Sequence, residues 1–214
     1  MIDFKKIEES LILRRERKDI KKFCGLKKIF NRYISESKKH LDFGCGFGCK
    51  TYLIACEYPK IKIIGMDKDR NIIRLAKKRY KTDNLKFMVS GCVKGKFDSI
   101  SCFNVLHHIK DVKEYVKGFY SHLNAKGIVI VSDFRRVPKK KFRKLYYNKR
   151  LREYRKIKSK VLSKIFKPKS FEEDYKQHCR WNIKQFVSMF EEAGFKTLDI
   201  IYDELNLFYL GIKR

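Results

Sequence analysis

The spacing of apolar residues switches between a helical and a strand period along the chain. Charged residues separate Ile2, Phe4, Ile7, Leu11, Ile20 and Phe23, and Cys24-Gly25 interrupts the run before Leu26 to Ile34 resumes it. Residues 2–37 are therefore predicted as one or two helices leaning on a sheet. An apolar strand ending in Leu41, Asp42 and Phe43 runs into Gly44-Cys45-Gly46-Phe47-Gly48, after which Tyr52, Leu53 and Cys56 recur at helical spacing. Pro59 breaks that helix, and Ile61, Ile63, Ile64 and Met66 make a second strand ending at Asp67. A helix from Arg70 to Tyr80, capped by Asp69, leads to a third strand at Leu85 to Val89. The fourth strand is Phe97 to Phe103, and Asp111 caps a helix to Leu123. Asn124 to Gly127 reads as a turn before a fifth strand, Ile128 to Val131. Far downstream a helix over Asn182 to Ala193 stops at Gly194, and two last strands follow at Phe195 to Tyr202 and Leu207 to Ile212. The order βαβαβαβαβ, then helix and hairpin, predicts an α/β fold with a doubly wound, mostly parallel sheet.

Candidate chemistry concentrates at the glycine turn. Glycine permits positive φ and removes the Cβ atoms that would hold a ligand away from the backbone, and the amides opening the next helix favour carboxylate or hydroxyl groups. A tight strand-to-helix turn also needs glycine for steric reasons alone. The spacing is GxGxG, with Cys49 where the dinucleotide fingerprint GxGxxG carries its third glycine. In an open α/β sheet ligands bind at the carboxyl ends of strands, and an acid such as Asp67 there can accept protons from both ribose hydroxyls.

With Asp42 two residues before the first glycine, this segment resembles motif I of the class I S-adenosylmethionine-dependent methyltransferases. Phe97-Asp98-Ser99-Ile100-Ser101-Cys102-Phe103-Asn104-Val105-Leu106-His107-His108-Ile109 resembles the FDxVxxxxVLHHI signature of the same family, in a methyltransferase type 11-like domain. The resemblance covers residues 38–133 closely and 182–212 loosely. It implies a seven-stranded, Rossmann-like sheet with an antiparallel final strand, S-adenosylmethionine as cofactor and S-adenosylhomocysteine as product. By resemblance Asp67 holds the ribose, Lys68 flanks the adenosine, and Asp42, Gly44, Cys45, Gly46, Gly48 and Asn104 belong to the cofactor site. Family members commonly carry an acid for the adenine amino group after the third strand, and none lies between Ser90 and Lys96 here. Ser90, Gly91 and Cys92 are the candidates to replace it. His107 and His108 fall where the methyl group should lie and are the candidate bases for deprotonating or orienting the acceptor; the alternative is that they cap or pack the next turn. Asn104 opens no Asn-Pro-Pro-Tyr motif, which argues against methylation of an exocyclic adenine or cytosine amine.

Charge changes the picture of the acceptor. The 214 residues carry a formal charge of +29. Residues 135–169 hold 17 Lys or Arg against one acid, Glu153, so +16 lies in 35 residues. Phe142, Leu145, Tyr146, Tyr154, Ile157, Val161 and Ile165 recur at threes and fours with one gap, predicting a basic amphipathic helix or helix pair inserted after the fifth strand. It is either a solvated face or a lid beside the pocket, and a lid of this charge would select anionic acceptors. Arg135, Arg136, Tyr146, Arg180 and Trp181 are the candidate acceptor contacts. The preferred acceptor is a small anionic molecule. A tRNA or rRNA acceptor is the alternative, and a non-catalytic scaffold binding RNA or protein is a reading from another class.

The expected organisation is a single domain: N-terminal helices over 1–37, a cofactor-binding core over 38–134, the insertion or lid over 135–181, and the last helix and strands over 182–214. Seven cysteines without a CxxC pair argue for reduced thiols. Cys45, Cys49, His107 and His108 match no zinc spacing, and no metal is expected. No uninterrupted apolar region occupies the first nine residues, so neither a signal peptide nor a membrane span is expected, and the expected location is the cytoplasm, with peripheral membrane contact left open.

Overall fold

The computed structural model describes residues 4–155 and 169–214. Strands β1 (Lys39–Phe43), β2 (Lys62–Asp67), β3 (Leu85–Val89), β4 (Phe97–Phe103), β5 (Leu123–Phe134), β6 (Phe195–Tyr202) and β7 (Asn206–Lys213) form one sheet in the order β3-β2-β1-β4-β5-β7-β6. Pairs from β3 to β5 are parallel, and β7 runs antiparallel to both β5 and β6. This is the expected seven-stranded doubly wound sheet.

Period-two alternation sends side chains into two cores. Leu41, Phe43, Ile64, Met66 and Ile100 face helices α4 (Val112–His122) and α8 (Ile183–Glu191), which contribute Val116, Phe119, Phe186 and Phe190. Ile63 and Ile130 face the other way, against Phe23, Leu26, Phe30 and Ile54 of α1 (Phe4–Tyr33) and α2 (Cys49–Glu57). Helix α3 (Arg70–Arg79) packs through Ile73 and Ala76 in a cluster with Phe87 of β3 and Cys49 of α2. Strands covered on both faces read as apolar runs, which is why β2 stands out in the sequence, whereas β4 buries Ser99 and Ser101 by hydrogen-bonding them to His40 and Asp42.

One open alternative is resolved and three expectations are corrected. Helix α1 runs unbroken through Cys24-Gly25. An exposed helical glycine costs about 1 kcal/mol, less than the several kcal/mol supplied by burying Phe23, Leu26 and Phe30 at about 1.5–3 kcal/mol each. The β-α alternation fails once, because residues 90–96 join β3 to β4 without a helix. The turn at 124–127 lies inside β5: Leu123 pairs with Phe97 and Ile128 with Ser99, so the intervening residues bulge out, with Lys126 at φ 60. Asp111 occupies the N-cap position of α4 but makes no side-chain cap bond, whereas Asp69 accepts from the amides of Asn71 and Ile72. Asn182 caps α8 in a reciprocal capping box with Gln185.

After β5 the chain forms α5 (Lys139–Phe142), a π-helical turn (Arg143–Tyr147) and α6 (Asn148–Arg155); α7 (Phe171–His178) follows later. Phe142 is buried, with Tyr146 and Tyr147 packed around it against Phe171 and Tyr175 of α7. The apolar side of this segment therefore covers α7. Ile157, Val161 and Ile165 of the expected stripe lie outside the described residues. Among the described residues no helix is long and apolar enough to cross a membrane.

Candidate active site

At the end of β1 the amides of Gly44 and Cys45 both donate to the Met66 carbonyl, at 2.7 and 2.9 Å, which pins the glycine loop to the tip of β2. The three glycines, all at positive φ, answer to different constraints. A Cβ on Gly44 would come within 2.2 Å of Val105 Cγ2, and one on Gly48, the N-cap of α2, within 2.6 Å of the Phe87 ring. A Cβ on Gly46 would meet nothing within 4 Å, and Gly46 lines a cavity of about 1240 Å³ over the strand tips. The steric and ligand-facing explanations of the motif are thus both present, at different positions.

Asp67 stands beside Gly46. Its Oδ2 accepts from the Gly46 amide at 3.0 Å and its Oδ1 from the Asp69 amide at 3.0 Å, so both oxygens are held at the cavity wall. Asp42, its apparent counterpart on β1, is fully buried away from that wall. It accepts from Thr51 Oγ1 at 2.7 Å and Ser101 Oγ at 3.1 Å, bracing α2 and β4 from below. Ser101 Oγ also lies 3.0 Å from His40 Nε2, and burial pushes the His40 imidazole down to about 4, leaving it neutral.

Of the residues singled out from the sequence, Gly44, Gly46, Asp67, Lys68, Ser90, Gly91, Asn104, His107, His108 and Arg180 line the cavity. Cys45 turns under the loop into the cluster of Cys49, Ile73 and Phe87, where burial raises its thiol well above the usual range. Gly48 lies in the same cluster's contact with Phe87, and Cys92 is exposed outside the lining. Ser90 Oγ donates to the Cys92 carbonyl at 2.6 Å, closing the loop after β3. Asn104, at φ 57, lines the cavity, and its buried Oδ1 has no hydrogen-bond partner among the described residues, so it is an acceptor left unsatisfied at the cavity wall. Open space over Gly46, a fixed carboxylate at Asp67 and this orphaned oxygen suit a ligand with a hydroxylated sugar and an ammonium group.

The substrate candidates divide. Arg135 donates to the Asp203 carbonyl and Arg136 to the Cys179 and Arg180 carbonyls, both stapling the fold outside the cavity. Trp181 packs on Phe186 with ring centroids 5.8 Å apart. Tyr146 donates toward His178 Nε2 at 3.1 Å. Arg180 reaches the cavity and ties α7 to the carbonyls of Ile109 and Lys110. The far wall comes from residues that no motif flagged: Lys169, Glu173, Lys176 and Gln177, on or just before α7.

At the end of β4 a 3₁₀ turn, Leu106–His108, carries the histidine pair. Asp133 at the end of β5 meets it, with Oδ1 2.6 Å from His107 Nδ1 and Oδ2 3.1 Å from the His107 amide. The His107 ring lies 3.9 Å from His108 and 4.6 Å from His178, centroid to centroid. Burial, aided by neighbouring imidazoles, pushes His108 and His178 each down to about 4. An acid at a strand's carboxyl end was the available signal for Asp133, the one that identifies Asp67; His178 offered none.

A family model described as a methyltransferase domain matches residues 14–200. The chain belongs to the class I S-adenosylmethionine-dependent methyltransferases. Phosphoethanolamine N-methyltransferase 1 of Triticum aestivum is 28% identical over 112 residues, which span 49% of this chain and 22% of that protein. Malonyl-[acyl-carrier protein] O-methyltransferase of Bacillus anthracis is 27% identical over 108 residues, 48% of this chain and 40% of that one. The similarity thus spans less than half the length of either relative. Among solved structures, magnesium protoporphyrin IX methyltransferase from Synechocystis PCC 6803 with bound SAH superposes with a TM-score of 0.61 at 13% identity, covering 100% of this chain and 89% of that one. A SAM dependent methyltransferase from Aquifex aeolicus gives 0.64 at 10% identity, with 88% and 89% covered. These likenesses show a shared fold.

Proposed function

We propose that this chain transfers a methyl group from S-adenosylmethionine to an O, N or C atom of a small anionic acceptor held between the strand tips and α7. The observation that carries the reading is the meeting of open Gly46, braced Asp67 and the unpartnered Asn104 oxygen on one cavity wall. When bound, the cofactor supplies an electrophilic methyl on a sulfonium for in-line displacement. The chain's part is to align the acceptor with that methyl and keep the site dry, and positioning of this kind supplies about 7–11 kcal/mol. In this reading Asp67 takes the ribose hydroxyls, Gly46 admits the cofactor to the backbone, and Asn104 accepts from its ammonium group.

Charge at the cavity supports an anionic acceptor. Lys68, Lys110, Lys169, Lys176 and Arg180 line it against Asp67, Asp111 and Glu173. If Asp67 and Asn104 serve the cofactor, the cations of α7 and Lys110 are left facing the acceptor. Two relatives are named for phosphoethanolamine and malonyl-[acyl-carrier protein], whose phosphate and malonyl groups are acidic. Titration calorimetry with S-adenosylmethionine tests the cofactor half directly. Asp67→Ala should weaken binding by about 1–3 kcal/mol, the worth of one or two charge-assisted hydrogen bonds; an unchanged affinity removes Asp67 from the ribose.

An RNA acceptor is the second reading, favoured by the +16 carried by residues 135–169. Binding through several phosphates should lose roughly 10³–10⁵ in affinity between 50 and 200 mM salt. A small-molecule enzyme should show no such steep loss with total tRNA, so this titration separates the two.

A further inference from the structure

Two adjacent histidines line the cavity, and their hydrogen bonds give them opposite capabilities. Asp133 is fully buried and accepts from three donors: His107 Nδ1, the His107 amide and the Phe134 amide, the last at 2.7 Å. An ionised carboxylate only accepts, so the ring nitrogen facing it must carry the proton. His107 Nε2 then keeps its lone pair, and among the described residues it has no hydrogen-bond partner. His108 is wired the other way. Its Nδ1 lies 2.6 Å from the Gln177 side-chain nitrogen, a donor, so its lone pair is used there and its Nε2 holds the proton.

His178 completes the arrangement without competing. Its Nδ1 donates to the Asp174 carbonyl at 2.8 Å and its Nε2 accepts from Tyr146, so neither nitrogen is free. The ring lies against His107, with Phe134 edge-on at 5.3 Å, so α7 and the end of β5 shield the dyad from water.

We infer that His107 Nε2 is the proton acceptor for methyl transfer, and that Asp133 is the positioning residue that makes it so by fixing the imidazole as its Nδ1–H tautomer. This rests on the methyltransferase reading above. As the bond from the acceptor atom to carbon forms and the methyl–sulfur bond breaks, the acceptor's proton passes to Nε2 and the sulfur leaves as a neutral thioether. The imidazolium so formed is compensated by Asp133 across 2.6 Å, while His108 and His178 stay neutral beside it. The proton returns to water when product leaves. The logic matches that of other carboxylate–imidazole pairs, in which the carboxylate sets tautomer and orientation and does not itself take the proton.

The test reads the tautomer directly. In the full chain labelled with ¹⁵N-histidine, long-range nitrogen–proton NMR at neutral pH should show His107 as Nδ1–H and His108 as Nε2–H, with signals assigned through His107→Gln and His108→Gln. Asp133→Asn leaves one oxygen for three donors, so the Nε2–H form of His107 should grow from minor to major. A side chain that merely packs would not move this signature. His107 found as Nε2–H in the unmodified chain, or His108 as Nδ1–H, overturns the assignment even if Asp133→Asn fails to fold. So does an Asp133→Asn protein of unchanged melting temperature whose tautomer is unaltered. Calorimetry with S-adenosylmethionine on the same samples keeps the two readings apart. The expected tautomers without cofactor uptake would sink the enzyme reading and with it the proton-acceptor role, leaving only the tautomer assignment, whereas uptake with the wrong tautomer would sink this inference alone.

Discussion

Replacing Gly46 with asparagine is expected to remove S-adenosylmethionine binding while leaving the fold intact. Gly46 sits at φ 56, in the left-handed region that asparagine tolerates better than other side chains. Its amide bond to Asp67 survives the change, because only the side chain differs. The added atoms meet no protein within 4 Å of the Cβ and project into the space beside Asp67. A ligand resting on the bare backbone there must withdraw, losing its close approach and its alignment with Asp67. Affinity by calorimetry should fall at least about 100-fold, equivalent to about 2.7 kcal/mol. The melting temperature should fall by no more than a few degrees, as a cost of about 1 kcal/mol moves a chain of this size by about 2–4 °C. Retained affinity would show that the cofactor does not rest on this loop.

Gly48→Ala is expected to give the opposite signature. Gly48 has φ 82, so a Cβ costs about 1–2 kcal/mol in backbone strain. That Cβ would also stand 2.6 Å from Phe87 Cζ and 3.0 Å from Ala76 Cβ, inside the packed contact between α2, α3 and β3. Overpacking of this kind adds about 1–3 kcal/mol. The combined loss of about 2–5 kcal/mol should lower the melting temperature by roughly 4–20 °C. Folded Gly48→Ala protein should still bind S-adenosylmethionine within a few-fold, because Gly48 does not line the cavity. Equal melting temperatures for Gly48→Ala and the parent chain would mean that Phe87 yields. Together the two substitutions separate what one glycine motif conceals: Gly46 faces the open cavity and Gly48 is packed against the core.

Asp42 and Asp67 show where sequence reading stops. Both are acids at the carboxyl ends of neighbouring strands beside one glycine loop, and both resemble cofactor ligands. Burial separates them: Asp42 is enclosed by Thr51 and Ser101, while Asp67 stays at the cavity wall. The basic segment divides similarly. Of the acceptor candidates, Arg135, Arg136 and Tyr146 staple or pack, while the cavity takes Arg180 together with Lys169 and Lys176, which no motif flagged.

Periodicity and turn chemistry determined most of the elements and the strand tips that carry Asp67 and the histidine pair, because apolar spacing, glycine φ and caps act over a few residues; the family was legible only through the resemblance of two motifs. Tertiary structure decided which tips and walls meet. Asp133 lies 26 residues from His107, and Gln177 lies 69 from His108. These partners are joined by the parallel register of β4 with β5 and by the docking of α7 against the 3₁₀ turn that follows β4. Burial of apolar surface drives that docking and is indifferent to which polar side chains it brings together. The choice of His107 over His108 therefore belongs to the folded chain, since only there does each imidazole acquire the neighbour that fixes its proton.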